Sequence, residues 1–166
     1  MQIPTELLAR IDEAISHYPV SKRSASLPLL HLFQEHFGYI SDEAVAWIAE
    51  KLGLEQIHVI ELVTFYPMFR RKPAGKHHIR VCRTLSCALA GADHLKARLC
   101  EATGIRCKGH HEGFEHAPDV SPDGKFSIEW VECLASCGSG PVMMVNDDFY
   151  EAVEPGKIDA ILSKYQ

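Results

Sequence analysis

Apolar residues in the first part of the chain recur at helical spacing: Leu7, Ile11 and Ile15 fall on one face, then Leu30, Phe33 and Phe37, then Val45, Ile48 and Leu52. Three amphipathic helices follow from that period. Gly38 and Gly53 stand where the second and third should stop. Ser41 followed by Asp42 and Glu43 reads as an N-cap with two acids at the positive end of the helix dipole. A fourth, short helix is predicted over 55–63. After Pro73 and Gly75 the pattern changes. Residues 78–82 read as a strand, 92–99 as a helix built on Leu95 and Leu99, 126–131 and 142–145 as strands, and 158–162 as a closing helix. Strands interleaved with packing helices predict a small α/β or α+β layer. The expected organisation is a helical bundle over 1–72 followed by a mixed domain over 73–166. Residues 108–124, rich in Gly, His, Pro and Asp, are expected to form an exposed loop.

Charge supports the same division. Residues 1–64 carry four Lys/Arg against nine Asp/Glu, and the remainder carries thirteen of each. The net charge of −5 leaves no basic footprint of the kind that binds phosphate backbones, so nucleic acid is not an expected partner. At 166 residues and 46% hydrophobic content the chain is long enough to fold without covalent staples. It has no stretch of about 18 apolar residues to span a membrane. Its start lacks a basic segment followed by an apolar run, so a cytoplasmic location is expected. In a reducing compartment, clustered cysteines bind metal or do redox chemistry more often than they form disulfides.

Six cysteines are present, and four form two pairs: Cys82 and Cys87 with four residues between them, Cys133 and Cys137 with three. Each pair follows a predicted strand. Short loops let two sulfurs converge on one metal while backbone N–H groups turn toward the centre, and two such loops supply the four thiolates of a [2Fe–2S] cluster. Thr84, Ser86, Ser136 and Ser139 are candidate hydroxyl donors to its negative charge. Structural zinc is the competing metal, although its cysteine pairs usually sit two to four apart on tight knuckles. Buried packing thiols are the third reading. No Cys-x-x-Cys is present for thioredoxin-type exchange. Spacing ranks iron–sulfur first and leaves the other two open.

The segment 132–146, Glu-Cys-Leu-Ala-Ser-Cys-Gly-Ser-Gly-Pro-Val-Met-Met-Val-Asn, resembles the second cluster loop of the thioredoxin-like [2Fe–2S] ferredoxins. That family includes the small iron–sulfur subunit of NADH:quinone oxidoreductase, respiratory complex I. Gly38-Tyr39-Ile40, Val63-Thr64-Phe65-Tyr66 with Met68-Phe69, Ile79-Arg80-Val81-Cys82 and Pro122-Asp123-Gly124-Lys125-Phe126 extend the similarity along nearly the whole chain. The resemblance implies an α+β fold, a helical N-terminal bundle followed by a thioredoxin-like domain. It implies one [2Fe–2S] cluster, with Cys82 and Cys87 on one iron and Cys133 and Cys137 on the other. It also implies an electron-transfer role beside a flavin-bearing, NADH-binding subunit that carries FMN, with further iron–sulfur subunits in the same membrane-attached assembly. Diaphorase subunits of NAD-linked hydrogenases and formate dehydrogenases are similar and remain an alternative, as does a structural zinc module. Ala135 occupies a position where the family often has glycine, and residues 108–118 lengthen the span between the pairs.

The other candidates read more plainly. Cys100 and Cys107 lack a second cysteine at ligand spacing and are expected to be packing or incidental thiols. His110, His111 and His116 read as solvated loop residues rather than ligands. Arg70, Arg71, Lys72, Lys76, Arg80 and Arg83 form a run without an acid between 65 and 83, suited either to balancing a negative centre and a partner's acids or to a solvated face. Phe65, Tyr66, Met68 and Phe69 are expected in the core. No Gly-x-Gly-x-x-Gly signature marks a nucleotide site, and none is expected in this chain.

Overall fold

The computed structural model describes residues 1–106 and 118–165. They divide into two compact units, Met1–Pro73 and the residues from Ala74 onward. The first unit holds four helices: α1 (Thr5–Ser16), α2 (Ser26–Phe37), α3 (Asp42–Leu52) and α4 (Gln56–Phe65). The predicted apolar faces are the packing faces. Leu7, Ile11, Leu30, Phe33, Val45 and Ile48 are buried together, with Ile15 and Phe37 packed at the margin. A fully buried side chain of this kind contributes about 1.5–3 kcal/mol. Ser41 caps α3 as expected, its hydroxyl accepting from the Ala44 N–H at 3.1 Å. Gly38 and Gly53 end α2 and α3 with φ of 81° and 68°, the left-handed geometry that spares a Cβ.

Beyond α4 the Gln34 side chain helps to hold the chain, together with the Ile40 N–H, which donates to the Arg70 carbonyl at 2.7 Å. Gln34 donates from Nε2 to the Met68 carbonyl at 2.8 Å and accepts the Arg70 N–H on Oε1 at 2.8 Å. The aromatic segment corrects the expectation that it is core. Phe69 is fully buried, but Phe65 is 76% and Met68 47% exposed. α4 spreads its apolar residues around its axis, so burying Val59 and Val63 leaves Ile57 and Phe65 outside, while Met68 lies beyond the end of the helix.

The second unit is a five-stranded sheet with helices, in the order β2-β3-β1-β4-β5. Its elements are β1 (His77–Cys82), α5 (Leu85–Leu89), α6 (Ala92–Thr103), β2 (Asp119–Val120), β3 (Phe126–Val131), β4 (Met143–Val145), β5 (Asp148–Tyr150) and α7 (Ile158–Leu162). β1 runs parallel to β3 and antiparallel to β4, while β2 and β5 pair antiparallel at the edges. Ile79, Val81, Leu95, Leu99, Ile128, Met143 and Ile158 form the core. On the other face of β1, His78 is buried as well, its ring nitrogens meeting Ser127 Oγ at 2.8 Å and Glu129 Oε1 at 2.7 Å, so its polar atoms are satisfied.

Three short elements were not predicted. α5 begins two residues before Cys87 and carries that cysteine, β2 falls inside the stretch 108–124, and β5 follows a turn at Asn146 with φ of 53°. The β2–β3 turn is built on side chains: Ser121 Oγ accepts from Phe126 N at 2.9 Å, and Asp123 accepts from Lys125 N at 3.0 Å. The rest of the expected loop, including His110, His111 and His116, lies outside the described residues.

Candidate metal centre

Parallel pairing of β1 and β3 brings the two cysteine loops together. Cys82 is the last residue of β1 and lies in register with Val131, the last residue of β3. Parallel neighbours end on the same side, so the chain leaving β1 and the chain leaving β3 emerge side by side, where open sheets place their ligands. Arg83 N–H donates to the Val131 carbonyl at 3.0 Å and extends the ladder by one rung. Arg83 also reaches Glu132, from Nε at 2.9 Å and from Nη2. Both partners are largely exposed, so this pair joins the loop entrances and adds less than about 1 kcal/mol.

From that shared end, each loop turns its second cysteine back. α5 buries Cys87 while Leu85 and Leu89 face outward, 74% and 82% exposed. A 3₁₀ turn over Cys137–Ser139 carries Cys137. Cys133 and Cys137 place their sulfurs 3.9 Å apart. A tetrahedral metal with bonds of about 2.3 Å to sulfur spans about 3.8 Å between two ligands, so the pair is spaced for one metal. All four cysteines are free, Cys82 and Cys87 buried, Cys133 and Cys137 exposed. Among the described residues no three His, Cys, Asp or Glu side chains gather about one point, and the sulfurs come in pairs.

Electrostatics favour thiolate at the buried pair's first member. Burial pushes the Cys82 thiol up, but the Thr84 hydroxyl, the backbone N–H groups of Leu134 and Thr84 and the Cys87 thiol together outweigh it and hold Cys82 below the usual thiol range. Thr84 Oγ1 lies 3.2 Å from Cys82 Sγ. Leu134 belongs to the other loop, so the second loop already contributes to a sulfur of the first. Burial raises Cys87, as do its contact with Cys82 and the charge of Cys137, against one favourable N–H from Val142. The Ala135 N–H donates to Cys133 Sγ at 3.2 Å. Gly140 lies against Cys87, where a Cβ would stand 3.5 Å from Cys87 Sγ and 3.2 Å from Ala90 Cβ.

Of the expected hydroxyl donors, Thr84 reaches a sulfur, whereas Ser136 and Ser139 turn elsewhere. Both donate to Oε1 of Glu151 and stand 2.7 Å from each other. The Ser136 hydroxyl, followed by that of Ser139, holds the Glu151 carboxyl below the usual carboxylate range. Glu151 is the residue that sequence reasoning missed. It lies 14 positions beyond Cys137, on the far side of the β4–β5 hairpin, and no local pattern links it to the loop. Cys100 is buried on α6 as expected but is disulfide-bonded rather than a free thiol. Cys107 lies outside the described residues. In the basic run, Arg71 pairs with Asp42, Arg80 donates to the Asn146 carbonyl and Arg83 holds Glu132.

Ala135 holds φ of 62° in the middle of the second loop. The left-handed region costs a residue with a Cβ about 1–2 kcal/mol, part of which glycine returns as unfolded-state entropy. Ala135→Gly is therefore expected to stabilise the chain by about 0.5–1 kcal/mol, read as a higher urea midpoint. An unchanged or lower midpoint would mean that the strain is not there.

An α+β domain that delivers two cysteine pairs to the shared end of parallel strands is a ferredoxin-type metal carrier in outline. Residues 11–166 match the thioredoxin-like [2Fe–2S] ferredoxin family, and the chain belongs to it. The chain is 38% identical over 159 residues to a subunit of the NADH-quinone oxidoreductase of Rickettsia bellii (strain RML369-C), covering 95% of this chain and 89% of that protein. It is 38% identical over 164 residues to the corresponding NADH-quinone oxidoreductase subunit of Aquifex aeolicus (strain VF5), covering 99% and 96%. Among solved structures, an NAD⁺-reducing [NiFe]-hydrogenase in the air-oxidised state superposes with a TM-score of 0.63 at 20% identity. The match covers 83% of this chain and 22% of that one, a likeness of fold. The α+β thioredoxin-like fold and the resemblance read from the sequence are borne out. The residues present also fit the family's cluster: free sulfurs in two pairs, one pair at metal spacing, with N–H groups of Leu134, Ala135 and Val142 directed at them.

Proposed function

We propose that the chain is the small iron–sulfur electron-transfer subunit of an NADH:quinone oxidoreductase, holding one [2Fe–2S] cluster on Cys82, Cys87, Cys133 and Cys137. Cys82 and Cys87 bind one iron, and Cys133 and Cys137 bind the other. The observation that carries this reading is the common end of β1 and β3, from which both cysteine loops leave together. A bound [2Fe–2S] cluster supplies a one-electron redox centre. The chain's own residues give it position and electrostatics. Thr84 and the backbone N–H groups of Leu134, Ala135 and Val142 offset the negative charge of the thiolates, while burial of Cys82 and Cys87 keeps water from one side.

In this reading, NADH and FMN belong to a neighbouring flavin-bearing subunit, and this chain has no self-contained catalytic site. Further iron–sulfur subunits complete the assembly, and neither nucleic acid nor membrane insertion is involved. Among the described residues no helix is long and apolar enough to cross a membrane. Such a chain belongs in the peripheral arm of a membrane-attached complex on the cytoplasmic side, with its N-terminal bundle over 1–72 and its cluster domain over 73–166. The diaphorase subunit of an NAD-linked hydrogenase or formate dehydrogenase and a structural zinc module are less favoured, because the near-full-length relatives are quinone oxidoreductase subunits.

The test is anaerobic mixing of the iron-loaded chain with NADH, alone and with the flavin-bearing subunit. The visible absorption of the chain is expected to bleach in the presence of that subunit and to stay unchanged without it. Bleaching by NADH alone would contradict the division of labour.

A further inference from the structure

We infer that Glu151 is a positioning residue for the second cysteine loop, fixing the turn that carries Cys137 and keeping a negative charge beside it. The inference rests on the proposed ligand set. One carboxylate oxygen accepts from both Ser136, immediately before Cys137, and Ser139, two residues after it. Backbone bonds fasten the same stretch of chain: Ala152 N–H donates to the Ser139 carbonyl at 2.7 Å, and Val153 N–H to the Pro141 carbonyl at 3.1 Å. Ala152 holds φ of 45°, an unfavourable conformation for a residue with a Cβ, which brings its N–H and the neighbouring Glu151 onto the turn.

Two consequences follow from this arrangement. The turn is held from outside by a charge-assisted hydrogen-bond pair, stronger than neutral bonds of the same length. The two hydroxyls also spend their protons on the carboxylate, so neither is offered to a sulfur. Reduction adds an electron to a centre that is already negative, and both a nearby carboxylate and missing donors oppose it. Glu151 therefore acts on cluster retention through geometry and on the reduction potential through charge. A purely structural role would move only the first.

The experiment uses the full chain loaded with iron and sulfide, as wild type, Glu151→Gln and Ser136→Ala/Ser139→Ala. Two quantities are read: the rate of iron loss to a chelator, and the reduced fraction of the cluster at fixed ambient potential, followed by electron paramagnetic resonance. Glu151→Gln is expected to lose iron at least threefold faster and to show a reduced-to-oxidised ratio several-fold above wild type. The double serine variant keeps the carboxylate, so it is expected to lose iron faster without a raised ratio. A Glu151→Gln chain that retains iron as long as wild type and titrates at the wild-type potential overturns the inference. Failure of the wild-type chain to hold iron would instead overturn the ligand set, which separates the two claims.

Discussion

Serine in place of any one of Cys82, Cys87, Cys133 or Cys137 is expected to deplete the chain of iron and acid-labile sulfide, whereas serine at Cys100 is expected to leave both in place. Each of the four supplies one of two thiolates to its iron in the proposed set. A hydroxyl is a poorer ligand because it stays protonated near neutral pH. Binding couples ligands from two loops to one folded geometry, so loss of one weakens the site and the loops together. The effect should be graded. Cys82 lies below the usual thiol range and receives N–H groups from both loops, so its loss removes the best-stabilised sulfur. Cys133 and Cys137 are exposed, so serine there leaves no buried hydroxyl, and iron should fall with little change in the stability of the metal-free chain. At buried Cys87, serine should lower both, by about 1–3 kcal/mol in stability through an unpaired hydroxyl. Iron and sulfide per chain beside urea midpoints check this. Dispensability of one of the four would refute the ligand assignment.

Gly75→Ala is expected to destabilise the cluster domain by about 3 kcal/mol, the upper range for overpacking. A Cβ at Gly75 would stand 2.6 Å from the carbonyl carbon of Phe126, 2.7 Å from its oxygen and 2.9 Å from the nitrogen of Ser127. All three are backbone atoms, so no side-chain rotation relieves the clash. The local chain is also pinned, because Lys76 N–H donates to the Gly124 carbonyl at 3.0 Å and His77 N–H to the Lys125 carbonyl at 2.8 Å. Relief must come from parting the first rungs between the chain entering β1 and the chain entering β3. Those strands deliver Cys82 and Cys133, so a shift there reaches the site from the opposite end of the sheet. Gly138→Ala is the control, since a Cβ there meets nothing within 4 Å. A loss of about 3 kcal/mol is a large share of the roughly 5–15 kcal/mol that keeps a domain folded. Equal urea midpoints for the two variants would show that the approach of Gly75 to β3 is not close.

The long elements were legible because their periods had room to repeat. α1, α2 and α3 each run for 11 or 12 residues, and the faces read from Leu7, Phe33 and Ile48 are the buried faces. α5, β2 and β5 are five, two and three residues long, too short for a period to declare itself, and they exist because neighbours pair with or cover them. The cysteine pairs stood out by spacing. Their convergence depends on the parallel register of Cys82 with Val131, a pairing between segments 49 positions apart that no local window contains. The N–H donors at Leu134 and Val142 were invisible for another reason: a backbone group carries no residue-type signal. Ser136 and Ser139 were noticed as hydroxyls, but their direction was set by Glu151. The segment from Phe65 to Phe69 misled in part because apolar character reports a preference for burial, whereas α4 leaves Phe65 outside and, beyond the helix, Phe69 is buried while Met68 is not.

The central claim is that these four sulfurs hold one [2Fe–2S] cluster. The most direct measurement is metal and acid-labile sulfide content per full-length chain purified without oxygen, joined to an electron paramagnetic resonance spectrum after dithionite reduction. The expected result is two irons and two sulfides per chain, with a rhombic signal from a single unpaired spin. One zinc per chain, no sulfide and no signal on reduction would contradict it.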